Sequence, residues 1–458
     1  MPGTMFKPDK RAAVLTLAIF FSVCVSATLI VDPDLWWHMN YGRYILHSGF
    51  PGQDPFTLTH AGRPFMHFYL AQILLYLIYS LAGAWGLFLL KIAVCTGVFL
   101  ILKKYAGIGI ASFGIILLFL SMRLFARPEL FAFILFSLAF PIFAIKDLKR
   151  RLIALFLCAL LWNQIHPSVA ILLLFPFCAF ISGLVGKRPE FPARLAESAV
   201  IAAAFLINPT SVLNLKEYAN ILIRNNPAAS IGEWQPFFSP ENPVSLLYKL
   251  AFIFTAVLCI SDLILKRRTE GPFWPMPFFL GVLTLFSRRF TGFWGLSLAV
   301  FLEGLLTPHA VRKKALTAVL FILFTALLIK PTLRMPLERG IGISTFYDMK
   351  IRTLFSELRL DGRILSDYDI GGFVSFILGK EVFIYGNNLN EKEFAEYRTL
   401  AMGKGIPDFM DKYSIDIVIM KPFPLYPGGR ELYAYFRSGG WEYLGHRTRY
   451  QIWKRTRS

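Results

Sequence analysis

Apolar runs of membrane-spanning length recur from the N-terminus to about residue 330, and short basic clusters separate them. A run such as 84–102 covers roughly 28 Å at about 1.5 Å per residue, close to the thickness of a bilayer's hydrocarbon core. Lipid offers no partner for backbone N–H and C=O groups, so a chain with this pattern must fold there as helices. The runs 12–31, 84–102, 106–123, 129–145, 151–167, 169–186, 195–207, 245–265, 273–287, 290–307 and 314–330 predict a polytopic all-α membrane domain over residues 1–330 with about 11 transmembrane helices. Residues 331–458 contain no run of that length and are richer in charge. There, strand-like segments (362–366, 382–385, 416–420, 441–445, 450–454) alternate with helical ones (390–402, 406–413, 429–438). This alternation predicts a small C-terminal α/β domain whose last two strands form an antiparallel edge.

The net charge is +19, from 48 Lys and Arg against 29 Asp and Glu. The basic residues sit between apolar runs rather than on a stripe, which argues against nucleic acid and for the positive-inside rule. The flank Lys7–Arg11, Lys103-Lys104 and the clusters at 146–151, 187–194, 266–268 and 312–314 then face the cytoplasm. The N-terminus is expected to be cytoplasmic, with run 12–31 an uncleaved anchor. Loop 32–83, the turn at 127–129, loop 208–244, Arg288-Arg289 and the α/β domain are expected outside the cytoplasmic (inner) membrane. The apolar segment 65–83 is long enough to cross, but counting it would move every later cluster to the wrong face. It is therefore expected to lie in the interface or to re-enter. All five cysteines fall in apolar runs without metal-ligand spacing and read as small buried hydrophobes.

Chemistry concentrates where the first run ends, in "DPDLWWHM" at 32–39. Pro33 stops the first helix. Asp34 is placed to cap the next one, and Trp36 and Trp37 suit the headgroup region. A carboxylate there can also take a proton from an acceptor hydroxyl or amine. Asp32 stands beside it, and His38 follows one turn after Asp34. Elsewhere, Arg127 and Glu129 flank Pro128 in an external turn, as an ion pair or as contacts to phosphate and acceptor. His166, after Asn163 and Gln164, marks either a polar helix joint or a cavity lining. Glu233 and Trp234 combine an acid and a ring, as at sugar sites. Arg288 and Arg289 match phosphate geometry. Asp32, Asp34 and Glu129 could share a divalent cation with phosphate oxygens; the sequence leaves the metal open.

The order of a first helix, an acid, an amphipathic helix ending in "HSGF", then "DPF", "GRPF" and a second apolar helix resembles the GT-C superfamily of membrane glycosyltransferases. The lipid A aminoarabinose transferases and protein O-mannosyltransferases belong to it. More specifically, "DPDLWWHM", "ARPELF", "LLWNQIHPS", "INPTSVLNLKEY", "GEWQPF" and "FSRRFTGFW", in that order, resemble a group of bacterial membrane proteins related to this superfamily. The resemblance implies that Asp34 occupies the essential acidic position of the first external loop. Leu35 stands where many members carry a second acid, with Asp32 on the other side. Glu129 falls where members often carry a further acid, and some members use a metal while others do not.

The expected function is transfer of a sugar from a polyprenyl-phosphate donor to an envelope acceptor on the outer face of the membrane. Asp34 would act as base, with Asp32 and Glu129 assisting. His38, Arg127, His166, Glu233, Trp234, Arg288 and Arg289 would contact substrate, with membrane lipids as further partners. A transporter or flippase of lipid-linked sugars, and a non-catalytic envelope-assembly scaffold, remain alternatives. The Asp34→Asn substitution discriminates among them.

Overall fold

The computed structural model describes residues 10–59, 69–185, 190–208, 235–240, 246–264, 272–306, 340–386, 391–445 and 449–456. The chain divides into two compact units. One comprises Met1–Leu29 and Ala84–Ile341, the other Ile30–Gly83 and Gly342–Ser458. The loop 30–83, expected within a 1–330 membrane domain, thus shares a unit with the C-terminal segment.

The described helices are α1 (Lys10–Ser26), α2 (Asp34–Ser48), α3 (Tyr69–Ala106), α4 (Ile110–Leu120), α5 (Glu129–Phe143), α6 (Leu148–Asn163), α7 (Leu174–Val185), α8 (Phe191–Leu206), α9 (Leu246–Ile264), α10 (Met276–Phe286) and α11 (Thr291–Leu306). A 3-10 segment, Pro167–Leu173, leads into α7. By length and composition, Tyr69–Ala106 and Pro167–Val185 can cross a membrane. Several others are shorter apolar helices, among them Ile110–Leu120, Glu129–Phe143 and Met276–Phe286. The expected run 314–330 lies outside the described residues. Gly83 breaks α3 with φ 56°, a left-handed value that glycine adopts without a Cβ penalty. The break separates 69–82 from the apolar run that follows, at the boundary expected between the interfacial segment and the span.

The first unit is held by aromatic packing. Phe119 and Trp294 lie 4.7 Å apart, Phe133 and Phe293 5.0 Å, and Phe136 and Phe175 5.4 Å. Gly295 makes this possible, because a Cβ there would meet the Phe119 Cβ at 2.6 Å. The buried Glu303 carboxylate accepts from the Gly109 N–H at 3.0 Å and from Ser112 Oγ at 2.6 Å, which satisfies the start of α4.

The second unit contains α12 (Lys350–Glu357), α13 (Tyr368–Leu378), α14 (Glu391–Ala401), α15 (Ile406–Lys412) and α16 (Gly429–Arg437). Its strands are β1 (Ile364–Ser366), β2 (Ile417–Met420), β3 (Trp441–Tyr443) and β4 (Gln451–Arg455), in the sheet order β1-β2-β4-β3. β1 and β2 are parallel, and β4 runs antiparallel to both β2 and β3. The sheet core is Leu365, Val418, Met420, Leu432, Phe436 and Trp453, all buried.

Loop 30–83 joins this unit through its backbone. Val382 N–H donates to the Phe56 carbonyl at 2.9 Å, and Leu58 N–H to the Val382 carbonyl at 3.0 Å. Helix α2 lies on α13: Asn40 Nδ2 donates to Ser375 Oγ at 2.8 Å, and Arg43 Nη1 to the Phe376 carbonyl at 3.1 Å. Two glycines permit these approaches. A Cβ on Gly42 would meet the Gln72 carbonyl oxygen at 2.2 Å, and one on Gly371 the Ile384 carbonyl oxygen at 2.1 Å.

Candidate functional site

Within the second unit, Asp34 is the first residue of α2, and Pro33, not Asp34, occupies the cap position. Asp32 does the capping: its buried carboxylate accepts the Asp34 N–H at 3.1 Å. Proline cannot cap with a side chain, so the preceding aspartate supplies the oxygen. That leaves the Asp34 side chain for other contacts. The half-buried carboxylate accepts from Trp37 Nε1 at 3.1 Å, one turn along the helix. Its oxygen lies 3.2 Å from the place a Cβ on Gly386 would take. The Tyr368 hydroxyl donates to the Gly386 carbonyl at 3.0 Å. Burial, with Asp34 and Asp369 nearby, holds that phenol above its ordinary value.

His38 is buried, with its ring 3.5 Å from that of Trp37 and Nδ1 3.4 Å from Gln72 Nε2. It therefore belongs to the seam between α2 and α3. Behind Asp34, the carboxyl end of β1 carries a second polar cluster that sequence reasoning missed. Asp367, 2% exposed, accepts from Tyr397 Oη at 2.7 Å and from Tyr426 Oη, and Lys421 Nζ lies 3.4 Å away. Lys421 also donates to Asp369 at 2.6 Å. Burial alone would pull the Lys421 ammonium down, but Asp367 and Asp369 together hold it above its usual value. The signal was present in "SDYDIGG" at 366–372, where two acids directly follow a strand-like segment.

Asp54 anchors the loop between α2 and α3. It accepts from the Phe56 N–H at 3.0 Å and from Tyr385 Oη at 2.9 Å. Burial pushes its carboxyl up, against the lowering effect of these hydrogen bonds, and Glu393 adds to the rise. A carboxyl raised on folding stabilises fully below its ordinary value, and that contribution is lost as pH rises through the elevated folded value. Asp54→Asn keeps a neutral side chain at every pH. Its melting temperature relative to wild type is therefore expected to be higher at pH 7 than at pH 4, which thermal unfolding across that range measures.

The remaining candidates belong to the first unit. Glu129, the first residue of α5, is buried, and both its oxygens accept from Arg123, the shortest contact being 2.5 Å. The expected Arg127–Glu129 pair is not formed; Arg127 lies over the Phe125 ring at 5.2 Å. The run at 106–123 ends as a helix at Leu120, so Arg123 falls in the turn, within reach of Glu129. His166 Nδ1 lies 2.7 Å from Ser168 Oγ and accepts the Ser168 N–H at 3.1 Å, capping the 3-10 segment. Asn163 Nδ2 donates to the Phe205 carbonyl at 2.9 Å, which ties the end of α6 to α8. Arg288 is buried, its backbone N–H donating to the Gln235 carbonyl at 3.2 Å, and Arg289 is half-buried. Glu233 and Trp234 lie outside the described residues.

Among the described residues no group of three or more His, Cys, Asp and Glu could hold a metal ion. Of the three carboxylates read as possible cation donors, Asp32 and Asp34 belong to the second unit, and Glu129 belongs to the first, where it is paired with Arg123.

No protein-family model matches the sequence, and no curated protein matches it. Among solved structures, the chain is similar to the oligosaccharyltransferase of Archaeoglobus fulgidus in its apo form, with a TM-score of 0.60 at 11% identity, covering 91% of this chain and 70% of that one. It is similar to the same organism's oligosaccharyltransferase AglB in complex with an inhibitory peptide and a dolichol-phosphate, with a TM-score of 0.62 at 12% identity, covering 99% and 75%. It is also similar to that enzyme in complex with Zn and sulfate, with a TM-score of 0.56 at 13% identity, covering 96% and 72%. The likeness is one of fold.

Proposed function

We propose that this chain is a membrane glycosyltransferase that moves a sugar from a polyprenyl-phosphate donor to an envelope acceptor, with Asp34 as the base or acceptor-orienting carboxylate. The reading rests on one observation: Asp34 begins the helix that follows the first apolar helix, and its carboxylate is aimed by Trp37 while Asp32 does the capping. A carboxylate relieved of capping duty and held by an indole N–H is suited to orient an acceptor hydroxyl or amine and take its proton. The fold shared with an oligosaccharyltransferase supports the same class of chemistry, as does that protein's complex with dolichol-phosphate.

As the glycosidic bond breaks, negative charge builds on the departing phosphate and needs fixed positive charge. Arg127, Arg288 and Arg289 are the proposed sources. Glu129 would act through its pair with Arg123, as a positioning group, rather than as a second base. The proposed location is the cytoplasmic membrane, with the acceptor outside.

The test compares envelope glycans, by mass spectrometry, from cells with and without the protein. Loss of one sugar-bearing species, restored by the wild-type chain, is the expected result. Unchanged glycans would contradict the reading. Movement of a lipid-linked sugar across liposomes without bond cleavage would favour a flippase.

A further inference from the structure

In a sheet with parallel strands, loops leaving the carboxyl ends of the strands open a crevice where ligands bind. Here β1 and β2 form the parallel pair, and β4 begins beside the carboxyl end of β2, where Gln451 pairs with Met420. At that end lies a cleft of about 820 Å³, walled by the segment 423–433 and Gln451. Its size falls in the range of small-ligand sites, about 300–1,000 Å³.

The walls are fixed and the rim is available. Phe423 stacks on Phe436 at 5.5 Å, and Tyr426 is tied through its hydroxyl to Asp367 and to the Lys421 N–H. Tyr433 keeps 48% of its surface exposed, and the Arg437 guanidinium, 5.4 Å from its ring centre, steadies it. Arg430 and Glu431 are exposed neighbours on the first turn of α16, and among the described residues neither makes a side-chain hydrogen bond or ion pair. Their charges cancel, so the cleft does not select a strong anion or cation.

An exposed ring, Tyr433, and a half-buried one, Tyr426, beside planar polar side chains match the two surfaces of a sugar: rings cover C–H faces, while a guanidinium, a carboxylate and an amide take hydroxyls. We infer that this cleft is a saccharide-binding site, with Tyr433 and Tyr426 under the sugar ring and Arg430, Glu431 and Gln451 on its hydroxyls. It binds a neutral oligosaccharide, and it does so whether or not Asp34 performs transfer.

The test uses the full chain in detergent, screened on an array of neutral oligosaccharides that includes chitotetraose and maltotetraose, with titration calorimetry on the best binder. Saturable binding weakened at least tenfold by Tyr433→Ala and by Glu431→Gln is expected. Both positions are exposed, and an unchanged melting temperature confirms the fold. Absence of binding to every sugar on the array, or equal affinity in wild type and both variants, overturns the inference. The readout is binding alone, so either outcome is separable from the fate of the transfer reading.

Discussion

Asp34→Asn is expected to lower sugar transfer by about 10²–10⁴-fold, the usual contribution of a positioned general base. That corresponds to roughly 3–5 kcal/mol of barrier, at about 1.4 kcal/mol per factor of ten. The substitution is nearly isosteric, and its amide oxygen can still accept from Trp37 Nε1, so the melting temperature should hardly move. What it loses is the capacity to take a proton at neutral pH. Asp32→Asn provides the contrast. Its amide oxygen can still accept the Asp34 N–H, so a residue that acts by capping should tolerate it with a much smaller loss. Steady-state rates with a labelled polyprenyl-phosphate sugar, together with thermal unfolding, separate the two.

Arg123→Met is expected to cost about 3–5 kcal/mol of stability, the usual result of leaving one member of a buried ion pair without its counterpart. Both side chains are under 10% exposed, and Glu129 has Arg123 as its partner through both oxygens. The doubly substituted Arg123→Met, Glu129→Met chain should recover most of the loss, because apolar side chains of similar volume avoid the desolvation that the pair must repay. Thermal unfolding in detergent measures this. A single variant as stable as wild type would show that the pair is not a structural unit.

Helices were the legible part of the sequence. The apolar runs 129–145, 169–186 and 290–307 correspond within a few residues to described helical segments, because in lipid only a helix satisfies such backbones. The union of loop 30–83 with the C-terminal segment was not legible. It depends on single long-range contacts such as Thr57 with Val382 and Asn40 with Ser375, which no local pattern encodes. For the same reason 382–385, read as a strand, forms only bridges through Val382. Helix α13 was missed because adjacent glycines argue against helix; here Gly371 is needed to let the Ile384 carbonyl approach. At the start of α2 the helix was legible, but the division of labour between Asp32 and Asp34 was not, since Pro33 moves the cap by one residue. The partner of Glu129 was misassigned because it depended on where α4 stops.

In the proposed function Asp34 performs chemistry rather than holding the donor or the fold. Donor affinity and single-turnover sugar release, measured on wild type and Asp34→Asn in the same lipid nanodiscs, test it most directly. Donor binding within about threefold of wild type is expected, with turnover lost by a factor of about 10² or more. An Asp34→Asn chain that turns over its donor at the wild-type rate would contradict it.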